Sequence, residues 1–323
     1  MQFRYTRAAV LLVGVAVATS ACGKYSLGSI RSLKAFKDGL GLYEKGNYRE
    51  AIPVFQESVN QNPEFGFSYF YLGNSYDNLF RPARKGEAEN DSYLPKAVEN
   101  YRLAIQKLAN ATEPQAVQFR KLSYEYLIAA FGADKLNDFS QAEPVAKELI
   151  ALEPNEPSNY QALAKLYEDQ GQYEEAEAMY RKAIEIKPTD PLGFQLLAGY
   201  FNRQGEFDKT MEAFQQRANM EPNNPEAWHT MGSYFYDKVF RDKSLARDVA
   251  RNYVLAGIAA EDKAIGINSE YFEAVTYKNL LIRLQANLER DPALQKKLLS
   301  EADRLRERAL ELQAKQGASV KKD

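Results

Sequence analysis

A 34-residue period runs through this 323-residue chain and restricts its fold more than any other feature. Tyr160, Phe194 and Trp228 share that spacing, as do Ala164, Ala198 and Gly232, and Pro154, Pro188 and Pro222. Gly171 pairs with Gly205, Tyr173 with Phe207, Tyr180 with Phe214 and, nearer the N-terminus, Gly39 with Gly73. A period of this length marks a stack of small units, each too thin to bury its own apolar face.

Residues 157–188 show what one unit is. Tyr160, Leu163, Ala164 and Tyr167 recur at steps of three and four, the signature of one apolar helix face. Gly171 suits the left-handed conformation that commonly ends a helix. A second apolar face follows in Tyr173, Ala176, Tyr180 and Ala183, and Pro188 closes it because proline cannot continue the hydrogen-bond ladder. Asp190-Pro191 and Asn224-Pro225 restart the pattern with a capping side chain and a proline at the first helical position. The small residues Ala164 and Ala176 let the two helices approach, and the aromatics wedge between neighbours.

These columns resemble the tetratricopeptide repeat (TPR) family across nearly all of residues 30–315. The resemblance implies an all-α, right-handed superhelical solenoid of about seven hairpins, with fourteen helices. Expected units are 32–63, 66–109, 120–154, 157–188, 191–222, 225–268 and 271–315, with a frayed tail at 316–323. Segments 80–91 and 238–244 read as insertions. The last helix carries Leu294, Leu298, Ala302, Leu305, Ala309 and Leu312 on one side, as a cap on the stack or as an arm for a partner.

The N-terminus reads separately. Arg4 and Arg7 precede an apolar run from Ala8 to Ala18, too short to span a bilayer, which needs roughly 20 apolar residues, and suited to a secretory signal over 1–21. Thr19-Ser20-Ala21-Cys22 resembles the lipobox of bacterial lipoproteins, with Thr19 where that family has Leu, Val or Ile. The resemblance implies lipid attachment at Cys22 and, with Gly23 rather than Asp next, an outer-membrane address in a Gram-negative source. Residues 22–29 then form a tether that keeps the body within about 25 Å of the membrane.

Composition narrows the chemistry. Without Arg4 and Arg7 the chain has 40 basic against 44 acidic residues, a net −4, and no basic stripe, so nothing draws it to nucleic acid. One cysteine and one histidine exclude an internal disulfide and a Cys/His zinc site. No phosphate-cradling loop, HExxH, EF-hand or nucleophile elbow occurs. The chain is therefore expected to be no enzyme and to hold no cofactor.

In TPR proteins ligands often lie in a concave groove lined by the first helices. That face maps onto Phe36, Leu40 and Tyr43, then Phe70, Asn74 and Asp77, then Gln161, Lys165, Gln195, His229, Tyr236, Asn279 and Arg283. Asn74 and Asn279 match the asparagines of the family's carboxylate clamp, but Phe70 and Val275 stand at its basic positions, so the clamp is missing. The N-terminal groove reads as apolar and aromatic, open to an extended apolar peptide or covered by residues 25–29. His229 reads as a packing or surface residue, or as a pH-sensitive contact. The expected function is a lipid-anchored adaptor in the cell envelope whose groove takes a peptide or helix of a protein partner. The alternative is a scaffold for polysaccharide or peptidoglycan handling.

Overall fold

The computed structural model describes residues 26–319, with side chains through Lys315; the expected signal segment 1–21 and Cys22 lie outside the described residues. Among these residues there are no strands. Fourteen long helices follow one another, joined by a four-residue helix and one 3-10 turn. They are α1 (Leu27–Glu44), α2 (Tyr48–Gln61), α3 (Gly66–Leu79), the short α4 (Ala88–Asp91), α5 (Tyr93–Lys107), α6 (Pro114–Phe131) and α7 (Phe139–Leu152). Then come α8 (Pro157–Asp169), α9 (Tyr173–Ile186), α10 (Pro191–Arg203), α11 (Phe207–Met220), α12 (Pro225–Arg241), α13 (Arg247–Ile267), α14 (Phe272–Leu288) and α15 (Pro292–Ser319). Two compact units divide within α7, the first ending at Val145 and the second starting at Ala146.

Each unit is a stack of hairpins. In the N-terminal unit α1 packs on α2 and α3 on α5, and the hairpins meet through α2 with α3 and α5 with α6. In the C-terminal unit the hairpins are α8 with α9, α10 with α11, α12 with α13 and α14 with α15. The turn chemistry is what the sequence calls for: Gly171 and Gly205 adopt φ of 73° and 76°, a left-handed conformation that costs glycine nothing. Asp190 and Asn224 each accept from a backbone N–H two residues on at 3.0 Å, ahead of Pro191 and Pro225 at the first helical position.

The small-residue columns are the contact points of each hairpin. A Cβ on Gly39 would sit 2.8 Å from the Phe55 ring, and one on Gly73 about 3.0 Å from Tyr101. Ala164 and Ala198 are wholly buried at the same position, with Tyr180 and Phe214 buried on the second helices.

Several boundaries depart from expectation. Ser26 caps α1 and Leu27 begins it, so residues 27–29 are helix rather than tether, because the Ser26 hydroxyl accepts the Ser29 N–H at 3.1 Å. Helix α15 runs to Ser319, into the expected tail. Of the 238–244 insertion, 238–241 continue α12, and Lys238 pairs with Asp242 at its end at 2.9 Å. The 80–91 segment holds a 3-10 turn (Pro82–Arg84) and α4, with Arg84 paired to Glu87 and Arg49 of α2 reaching Glu89 at 2.6 Å. On α15, Leu298, Ala302, Ala309 and Leu312 are buried and Leu294 is exposed.

Candidate functional site

In the N-terminal unit the groove positions converge on a buried polar cluster. Phe36 is enclosed by Phe65, Tyr71 and Phe55, with ring centroids 5.2, 5.6 and 6.0 Å away. Phe70 lies within 4.9–5.7 Å of Phe119, Tyr71 and Tyr126. Both rings are buried. The expected aromatic groove is therefore core at Phe36 and Phe70, because α3 and α6 bring enough rings to cover them.

Around these rings the polar groups satisfy one another. The Tyr43 hydroxyl donates to Asn74 Oδ1 at 2.5 Å, and Asn78 Nδ2 donates to the same oxygen at 2.7 Å. Asn74 Nδ2 donates to the Tyr101 hydroxyl at 3.3 Å, which donates to Asp77 Oδ2 at 3.4 Å. Lys135, from the loop after α6, grips both Asp77 oxygens at 2.6 and 2.8 Å. Burial pushes the Tyr43 and Tyr101 hydroxyls well above their ordinary range and raises Tyr71 to about 12, so all three stay neutral, and Tyr43 and Tyr101 act as donors. Asn74 and Asp77 are thus buried and fully engaged, while Leu40 and Tyr43 stay half-buried. This cluster stabilises the unit and leaves little free polar capacity for a ligand.

The C-terminal unit differs. Gln161 on α8, Gln195 on α10 and His229 on α12 stand one repeat apart, and all three are partly exposed. Lys165 is partly exposed and paired to Asp169 one turn on. Tyr236 stacks on Phe240 at 5.3 Å and meets Tyr277 edge-on at 5.5 Å. At the far end Arg283 donates from Nε to Asn279 Oδ1 at 2.9 Å and pairs with Asp303 of α15 at 2.6 Å. Asn279 is buried and Val275 wholly so, which leaves no room for the clamp at this end.

His229 has a partner that its place in the repeat does not announce. Its Nδ1 lies 3.1 Å from both oxygens of Glu261 on α13, whose side chain is fully buried. The rings of Tyr277 and Tyr271 stand edge-on to the imidazole at 5.1 and 5.4 Å. Burial raises Glu261 from its ordinary 4.5 to about 7, against the lowering pull of His229. Glu261 occupies the position of a core aromatic: Gly257 and Ala264 flank it at the spacing with which Ala97 and Ala104 flank Tyr101, and Ala176 and Ala183 flank Tyr180. Gly232 makes the room, since a Cβ there would collide with the carboxylate. That small-large-small spacing, carrying a Glu where Tyr or Phe belongs, was the available signal.

Residues 135–200 match the tetratricopeptide repeat family. Among curated proteins none matches the sequence. The solved C-terminal part of a TPR repeat-containing protein from Cytophaga hutchinsonii superposes with a TM-score of 0.57 at 18% identity, covering 86% of this chain and 95% of that one. A MamA fragment from Desulfovibrio magneticus RS-1 gives a TM-score of 0.42 at 15% identity, over 59% of this chain and 96% of that one. YrrB, a TPR protein with an unusual peptide-binding site, gives 0.39 at 12% identity, over 62% of this chain and 91% of that one. The first of these shares its fold with this chain.

Proposed function

From a chain built of tetratricopeptide repeats, we propose a protein-binding scaffold, held in the bacterial cell envelope by lipid on Cys22, whose C-terminal unit takes an extended segment of a partner. The observation that carries the reading is the ladder Gln161, Gln195 and His229, set 34 residues apart on successive first helices and left partly exposed. The amides of Gln161 and Gln195 and the remaining ring nitrogen of His229, at regular intervals, can hydrogen-bond an extended backbone, which recognises a peptide with little demand on its sequence. Tyr236 adds a flat apolar surface with a polar tip beside the ladder. The envelope address is supported by the pattern of residues 1–22, which lies outside the described residues.

A photo-crosslinking residue at position 195 tests this in intact cells, with Glu212, exposed on the second helix α11, as the control position. One or a few protein adducts are expected at 195 and not at 212, and Gln161→Ala with Tyr236→Ala should reduce their yield. Equal adducts at both positions, or a yield indifferent to those substitutions, would remove the ladder as the docking site. Phe36 and Phe70 make poor probes, because their loss breaks the core.

A further inference from the structure

The first helix, α1, has one face that no other element covers among the described residues. Leu27 is 63% exposed and Ile30 56%, the two most exposed large apolar side chains among the described residues. Arg31, Lys34 and Lys37 are exposed too, and within the described residues none has an ion-pair partner. At 3.6 residues per turn these five side chains fall within about 120° of arc. Ser32, Phe36 and Gly39 are buried on the opposite side against the following helices. The arc thus starts apolar and becomes cationic over the next two turns, with Asp38 as its one acidic residue.

Position along the chain adds a second argument. Leu27 lies five residues after Cys22, at most about 18 Å of extended chain. The apolar turn of α1 is therefore, along the chain, the first helical turn after the proposed lipid attachment at Cys22, and the cations follow it.

We infer that this face of α1 rests on an anionic lipid surface, with Leu27 and Ile30 entering the boundary between headgroups and acyl chains and Arg31, Lys34 and Lys37 meeting lipid phosphates. The inference builds on the envelope reading above. Long basic side chains keep their charge at the headgroups while their stems lie along the apolar boundary. Each basic residue near such a surface strengthens binding roughly fivefold. In a chain of net negative charge this local excess is what permits contact, and it orients the scaffold with α1 toward the membrane.

The test uses residues 22–323 with Cys22→Ser, which keeps every helix described and carries no lipid, in flotation with vesicles of phosphatidylethanolamine and phosphatidylglycerol or of phosphatidylcholine alone. Binding to the anionic vesicles, loss of that binding at high salt, and a drop of at least about tenfold in the triple variant Arg31→Gln, Lys34→Gln, Lys37→Gln are expected. Leu27→Asn with Ile30→Asn should weaken it separately, and an unchanged circular dichroism spectrum shows that the exposed substitutions leave the fold intact. Equal flotation of the triple variant, equal binding to both vesicle types, no binding to either, or self-association through this face in place of vesicle binding would overturn the inference. The lipid on Cys22 is read independently by the mass of the wild-type protein from membranes, so lipidation without α1 binding sinks this inference alone, and α1 binding without lipidation sinks the anchor alone.

Discussion

Replacing Glu261 by Gln should change how the stability of the C-terminal unit depends on pH. The carboxyl is fully buried between α12 and α13, and burial lifts it from 4.5 to about 7. At about 1.36 kcal/mol for each step of one in pKa, the ionised form is disfavoured by about 3 kcal/mol in the folded chain. The folded-state value is the higher one, so the associated stability is complete below about pH 4.5 and is lost as pH rises through 7. Integrated from about pH 5 to about pH 8, this group removes about 2.5 kcal/mol. Asp262 adds repulsion, and His229, the only group pulling the other way, is outweighed by desolvation. Gln keeps the shape and cannot ionise, so Glu261→Gln should be more stable than wild type by about 2–3 kcal/mol at pH 8 and near it at pH 5. The chain's single tryptophan, Trp228, adjoins His229 and reports on this hairpin, so urea titrations followed by its fluorescence at the two pH values supply the comparison. Parallel pH dependence in both proteins, or a wild type that gains stability toward pH 8 relative to the variant, would refute the reasoning.

Three further outcomes follow from the packing. Lys135→Met leaves the Asp77 carboxylate buried without its cation and should cost about 3 kcal/mol, seen as a lower Tm; adding Asp77→Asn should recover much of it. Gly232→Ala should cost about 1–3 kcal/mol by driving a methyl into the Glu261 carboxylate, and clearly less in a Glu261→Ala background, which a double-mutant cycle measures. Ala164→Leu overpacks a wholly buried contact between α8 and α9 and should lower stability by about 1–3 kcal/mol; an unchanged Tm would contradict the packing of that column.

Much of the architecture is legible in the amino-acid sequence. Helix starts at Pro157, Pro191 and Pro225 and the left-handed glycines at 171 and 205 are local signals, written within a few residues of where they act. The candidate site was less legible. Gln161, Gln195 and His229 keep the partly exposed place their spacing implies, whereas Phe36, Phe70, Asn74, Asp77 and Asn279, picked by the same register, are buried. Their burial depends on side chains from other helices, such as Phe119 over Phe70, and no periodic rule reports how many rings arrive at one place.

The amino-acid sequence alone established a run of helical hairpins, the turns at Gly171 and Gly205, and the small residues that let the helices touch. It did so because a repeat encodes short-range geometry again and again, and each copy confirms the others. Packing in three dimensions sets which of the mapped positions stay exposed, that Lys135 reaches back 58 residues to Asp77, and that Glu261 takes an aromatic's place beside His229. Those contacts join residues that no period relates, and burial, unlike register, is a property of everything that packs around a side chain.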